Sequence, residues 1–140
     1  MEGKVAIITG GARGIGEAAV RLFAKHGAKV IIADIDDTAG EKLSASLSPA
    51  ATYVHCDVSR EEDVAELINI TISKYGKLDI MYNNAGILGE QSKRKSIMDF
   101  DGEEFDRIMS INVKPIDLGM KHAPRKMSDG SQKKWVHYLY

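Results

Sequence analysis

Short apolar runs alternate along this chain with longer stretches whose apolar positions recur three or four residues apart. Lys4 to Thr9 and Lys29-Val30-Ile31-Ile32-Ala33-Asp34 are nearly continuous apolar runs, the pattern of strands buried on both faces. Thr52 to Asp57 and Leu78 to Tyr82 supply a third and a fourth strand. Between the first two runs, Glu17 to His26 reads as a helix with Ile15, Ala18, Ala19, Leu22 and Phe23 on its packing face, ended by Gly27. A second helix starts near Asp36 or Asp37, either of which can cap it, and runs to about Leu47 ahead of Pro49. Ser59 with Glu62 three residues on has the form of a capping box. Val64, Leu67, Ile68, Thr71 and Tyr75 then mark the inner face of a third helix that Gly76 ends. This alternation predicts an α/β fold, a parallel sheet with helices on both faces. Right-handed crossovers give the strand order 3-2-1-4, with a cleft where the order reverses, between strands one and four.

Beyond strand four the pattern weakens. Ile87 to Gly102 is a polar loop with room for a short helix. Asp99-Phe100-Asp101-Gly102-Glu103 lacks the ligand run of a calcium loop, so it reads as an acidic helix start and no metal site is expected. Phe105, Ile108, Met109, Ile111 (or Asn112) and Pro115 continue at helical spacing toward Met127. A helix over 103–127 should kink near Pro115 and stop near Pro124, because an interior proline removes a hydrogen bond and costs roughly 3 kcal/mol or more. Trp135 to Tyr140 offers a makeshift fifth strand beside strand four, and without it that edge stays open to self-association.

The chemistry lies at the first turn. Thr9-Gly10-Gly11-Ala12-Arg13-Gly14-Ile15-Gly16 follows a buried strand and opens a helix. Glycines let backbone approach a pyrophosphate closely, and the free N–H groups of the first helical turn face its charge. Asp34 stands eighteen positions after Gly16, at the end of strand two, where a carboxylate can bond the adenosine ribose hydroxyls and repel a 2′-phosphate. Arg13 is the kind of residue that attracts such a phosphate. A carboxylate beside a phosphate in a partly dry pocket costs more than one exposed arginine returns, and Asp36 and Asp37 add to it. NAD(H), rather than NADP(H), is therefore the expected cofactor of this Rossmann-like domain.

Composition narrows the setting. The 140 residues suffice for one domain with a real core. A net charge of −1 creates no overall field for nucleic acid or membrane, although six Lys or Arg face only two Asp or Glu from Lys114 onward. The single cysteine, Cys56, excludes an internal disulfide, and no apolar run approaches membrane length. A reducing cytoplasmic setting is expected.

Five motifs in order give a resemblance that the pattern alone does not. Thr9-Gly10-x-x-x-Gly14-x-Gly16, Asp34, Cys56-Asp57-Val58, Asn83-Asn84-Ala85-Gly86 and Ile111-Asn112-Val113 are similar to those of the short-chain dehydrogenases/reductases, closest to plant members acting on secondary alcohols. The resemblance implies an oxidoreductase fold that passes hydride between NAD and a secondary alcohol or ketone. It implies that Gly10, Arg13, Gly14, Ile15 and Gly16 hold the pyrophosphate side, and that Asp57 and the Val58 N–H meet the adenine. It further implies that Asn83 ties the central strands, that Asn84, Ala85 and Gly86 line the ribose, and that Asn112 positions a water in the proton relay. His26, His55, His122 and His137 match no family site and are expected at the surface or in packing.

The resemblance covers residues 4 to about 127, a partial dinucleotide-binding domain, and leaves 128–140 as a divergent basic and aromatic tail. Family members run nearly twice this length and carry a catalytic serine and a Tyr-x-x-x-Lys pair that this chain lacks. No tyrosine here has a lysine four positions on, and Ser128 and Ser131 lie in the tail. The chain is therefore expected to bind a dinucleotide and to be inactive alone. The alternatives are a subunit completed by a full-length relative and a non-catalytic interaction protein.

Overall fold

Val5–Thr9 forms the first strand, β1, and every one of its residues is buried. The computed structural model describes residues 1–90, 96–127 and 137–139. Along them β1 is followed by α1 (Gly14–Lys25), β2 (Lys29–Asp34), α2 (Asp37–Ser46), β3 (Ala51–His55), α3 (Glu61–Tyr75) and β4 (Ile80–Asn83). A 3-10 turn (Ile97–Asp99), α4 (Gly102–Asn112), α5 (Lys114–Met127) and β5 (His137–Leu139) complete the order. The sheet runs β3-β2-β1-β4-β5, with every adjacent pair parallel. The expected order 3-2-1-4 is present. The fifth strand amounts to three residues, with Met81 opposite His137 and Asn83 opposite Leu139; Trp135, Val136 and Tyr140 lie outside the described residues, as do 91–95 and 128–134.

The strands divide their side chains between two cores. Ile7, Ile31 and Met81 pack with Val64, Leu67 and Ile68 of α3 and Leu118 of α5. Ile8, Ile32 and Tyr82 point the other way, onto Val20 of α1 and Leu43 of α2. Successive residues of a strand face opposite sides, so an apolar run without polar interruption needs a cover on both.

Helix α1 turns inward only part of the face its apolar spacing suggested, Ala19 and Phe23 but not Ile15, Ala18 or Leu22. Gly16 and Val20 are buried, with Ala19, Phe23 and Ala24 packed beside them, while Ile15 is 72% and Leu22 53% exposed. The close seating of Gly16 on the preceding turn sets the rotation of the helix and carries Ile15 outward. Helix α2 starts as expected: the Asp36 carboxylate accepts the Ala39 N–H at 3.0 Å. The capping box at α3 is not formed. Arg60 occupies the cap position without a side-chain bond, because Ser59 donates its hydroxyl and its N–H to Asp57 Oδ1, at 2.7 and 2.9 Å. That local turn competes with capping. Gly76 ends α3 at a φ of +73°, the left-handed conformation a C-terminal glycine supplies.

The expected long helix over 103–127 breaks at Val113, and Pro115 falls in the first turn of α5. There its missing N–H has no intrahelical acceptor to lose. Pro124 does not stop α5, which runs on to Met127; so near the helix end, few bonds depend on it. Asp101 caps α4 by accepting the N–H groups of Glu103 and Glu104, at 3.0 and 3.3 Å, so the acidic stretch is a helix start.

Asp79 fastens the approach to β4 onto the start of β1. Its Oδ2 accepts the Val5 N–H at 2.8 Å, and Lys77 and Lys4 lie 3.0 and 3.2 Å from the carboxylate. Burial works against its charge, but the Val5 N–H and the two ammonium groups outweigh burial and hold the carboxyl below its ordinary 3.8. Its contribution is therefore complete above that ordinary value and is lost as pH falls through the lower folded one. Asp79→Ala should cost about 1–3 kcal/mol near neutral pH. Urea midpoints of the two proteins should draw together once the medium is acid enough to protonate Asp79 in the fold.

Candidate functional site

The turn between β1 and α1 is closed below and open above. Gly10 has a φ of +62° and lies against Ala85, whose Cα would be 2.8 Å from a β-carbon placed on it. A β-carbon on Gly16 would meet the Gly10 carbonyl oxygen at 2.0 Å, so helix and turn touch with no space for a side chain. Gly14, at a φ of +55°, has nothing within 4 Å of the same position. The first intrahelical bond runs from Glu17 N–H to Arg13 O at 3.1 Å, which leaves the N–H groups of Gly14, Ile15 and Gly16 without an intrahelical acceptor. An open backbone rim of this kind at a helix N-terminus is suited to a phosphate group.

The opposite wall is built from the loop after β4. Thr9 Oγ1 accepts the Asn84 and Ala85 N–H groups at 3.0 and 3.2 Å. The Asn84 side-chain amide donates to the carbonyls of Thr9 and Gly10, at 3.0 and 3.1 Å. Asn84, not Asn83, therefore ties β1 to β4. The Asn83 amide points to the other face, beside Gly119 of α5, and both of its polar atoms are buried without a hydrogen-bond partner among the described residues. Period-two alternation decides which of two adjacent asparagines reaches β1.

Asp34 ends β2 with both oxygens in use, Oδ2 accepting the Ala12 N–H at 3.0 Å and Oδ1 the Asp36 N–H at 3.1 Å. Asp57 also serves its own turn: the Ser59 hydroxyl, together with its N–H and the Arg60 charge, outweighs burial and lowers its carboxyl below the ordinary range. Cys56 beside it is buried, and burial with the charges of Asp63, Asp57 and Asp34 pushes its thiol up to about 12. It packs in the core, where burial disfavours the thiolate form.

These walls enclose a cleft of about 460 Å³ at the carboxyl ends of β1, β2 and β4. Gly10, Arg13, Gly14, Ile15, Gly16, Asp34, Asp57, Val58, Asn84, Ala85 and Gly86 all line it. The structure thus brings all the expected cofactor-binding positions together, and the glycine cradle fits a dinucleotide pyrophosphate. Ile35, Cys56, Ile87 and Ile111 complete the lining; Cys56 and Ile111 belong to the motifs, and Ile35 and Ile87 adjoin motif residues, the one hint their positions gave. Asn112 stands behind the Gly86 loop. Its Oδ1 accepts the Ile87 N–H and its Nδ2 donates to the Ile87 carbonyl, both at 2.8 Å. His55 pairs with Asp37 at 2.7 Å and His122 with Glu61 at 2.8 Å, away from the cleft lining. Among the described residues no cluster could hold a metal ion, and no helix is long and apolar enough to cross a membrane.

Known proteins are similar to this chain in sequence and in fold. The sequence profile of the family described as short chain dehydrogenase matches residues 4–136. The chain is 56% identical over 130 residues to the sex determination protein tasselseed-2 of Zea mays, an alignment covering 91% of this chain and 39% of that one. It is 51% identical over 127 residues to tropinone reductase-like 1 of Erythroxylum coca, covering 91% and 47%. It is 48% identical over 128 residues to secoisolariciresinol dehydrogenase of Forsythia intermedia, covering 91% and 46%. The crystal structure of 3-ketoacyl-(acyl-carrier-protein) reductase from Brucella melitensis, complexed with NADH, matches with a TM-score of 0.79 at 43% identity, covering 86% of this chain and 48% of that one. The chain spans less than half the length of these relatives.

Proposed function

Because the chain belongs to the short-chain dehydrogenase family, we propose that its cleft binds NAD(H), and that these 140 residues bind it without turning over an alcohol. The glycine rim carries the first half of this reading: the N–H groups of Gly14, Ile15 and Gly16 have no helical acceptor, and the space beside the Gly14 backbone is open. They would take the pyrophosphate, and Asp34 would take the ribose hydroxyls beside it. Asp57 and the Val58 N–H would meet the adenine, and Ala85 and Gly86 the second ribose. The nicotinamide, when bound, supplies the hydride chemistry. Asn112 holds the Ile87 backbone and so sets the loop along which that end of the dinucleotide would lie. Hydroxyl deprotonation requires a positioned acid or base of suitable pKa. No tyrosine among the 140 residues is followed by lysine at the fourth position, so the chain alone lacks that pair.

Calorimetric titration of the folded chain should give heat with NADH and weaker or no binding with NADPH. Absorbance in the nicotinamide band should then stay constant with cyclic and terpenoid secondary alcohols. Turnover by a preparation free of other dehydrogenases would defeat the second half of the proposal, and silence with NADH the first. One observation favours completion by a partner subunit as a second reading. Helix α4 has no buried residue, and Phe105, Met109 and Val113 stand 48%, 38% and 42% exposed along α4 and its end. Mixing with a full-length relative would then yield mixed oligomers on sedimentation.

A further inference from the structure

Among the described residues that line the cleft, Arg13 is the only basic one, and it is already engaged. Its Nε lies 2.7 Å and its Nη2 2.6 Å from the same oxygen, Asp36 Oδ2. The other oxygen of that carboxylate accepts the Ala39 N–H and caps α2. The Asp36 N–H donates in turn to Asp34 Oδ1 at 3.1 Å. A continuous set of bonds therefore joins the glycine turn, through Arg13 and Asp36, to the carboxylate that faces the ribose.

The consequence for cofactor choice differs from what Asp34 alone would give. A 2′-phosphate brings a dianion to the adenosine ribose. A free arginine on the glycine turn could pair with it bidentately and offset the repulsion from Asp34. Arg13 is not free. To reach the phosphate it must leave Asp36, so one ion pair is lost for the one gained, and the exposed Asp36 carboxylate then adds its own repulsion. The Ala39 N–H and the Arg13 guanidinium both lower the Asp36 carboxyl below its ordinary range, so this charge persists well into acid.

Building on the NAD(H) reading above, we propose that Asp36 is a specificity-determining residue that excludes NADP(H) by withholding Arg13 from the 2′-phosphate. Asp34 and Asp36 divide the work: one repels the phosphate directly, and the other withdraws the cation that would receive it.

Asp36→Asn separates the two duties of this side chain, because asparagine caps a helix as well as aspartate does but cannot hold the guanidinium by charge. NADH and NADPH are titrated calorimetrically into the wild-type chain, Asp36→Asn, Arg13→Ala and the double variant. Asp36→Asn should tighten NADPH about tenfold relative to NADH. The double variant should lose that gain, and Arg13→Ala alone, which bares the Asp36 carboxylate, should move the NADPH-to-NADH ratio no closer to NADPH than in the wild type. Asp36→Ser, a second good cap, should repeat the gain and guards against a folding defect peculiar to asparagine. An unchanged ratio in both cap-preserving variants overturns the proposal. So does a gain that survives removal of Arg13, which would credit the lost carboxylate charge alone. A folded wild-type chain that binds neither dinucleotide instead refutes the underlying NAD(H) reading.

Discussion

Gly16→Ala should abolish NADH binding, with affinity falling at least about 100-fold, and should destabilise the fold by about 3 kcal/mol. The added methyl would sit 2.0 Å from the Gly10 carbonyl oxygen and the Asn84 amide nitrogen would be 2.7 Å away. Neither neighbour can yield cheaply. Gly10 is backbone at a positive φ pressed against Ala85, and the Asn84 amide is the tie between β1 and β4. Relief requires α1 to lift off the turn, which moves the N–H groups of Gly14 and Ile15 away from a pyrophosphate. Gly14→Ala is the informative contrast. Its β-carbon meets nothing, so it should fold with only the strain of a φ of +55° while still weakening the dinucleotide that the open space receives. Calorimetry with NADH and thermal melting of both variants separate the two effects.

Asp34→Ala is expected to reverse the cofactor preference. NADH should weaken by roughly 10- to 100-fold as the acceptor for the ribose hydroxyls disappears, and NADPH should tighten as the repulsion goes. The Ala12 and Asp36 N–H groups lose their acceptor at the same time, so a stability loss of about 1–3 kcal/mol should accompany the switch. The ratio of NADPH to NADH affinity is the quantity that tests the assignment. A ratio that stays on the NADH side would show that Asp34 is a loop support and not a selector.

The sheet was legible in the sequence because parallel strands covered on both sides are apolar without interruption, and few other structures need that. The glycine turn was legible because Gly10, Gly14 and Gly16 fall within one short loop between a strand and a helix. What was misread depended on geometry that hydrophobicity does not encode. The inward face of α1 is set by Gly16, which has no side chain to register in an apolar pattern. Ser59 had two local roles open to it, accepting an N–H as a helix cap or donating to Asp57, and it donates to Asp57. Asn83 and Asn84 are identical in type, and only the pleat of β4 tells them apart. The Arg13–Asp36 pair joins residues on different elements, and Arg13 and Asp36 each had a satisfactory reading when considered alone. The break at Val113 was nearly legible in Pro115, but that proline begins α5 rather than bending a single rod.

The attachment of α4 has a further effect on the cleft. Besides Ile108 against Gly89 and Ile111 against the core, that helix is held by hydrogen bonds near its ends: Glu104 Oε1 receives the Glu90 N–H at 3.0 Å near its start, and Asn112 grips Ile87 at its finish. With no buried residue between them, the helix can fray at small free-energy cost. Each such opening releases Ile87 and Ile111, two panels of the cleft wall. A molecule seated against those panels would slow deuterium uptake in α4 without touching most of the helix, so the outermost rod of the domain becomes a reporter of what its interior holds.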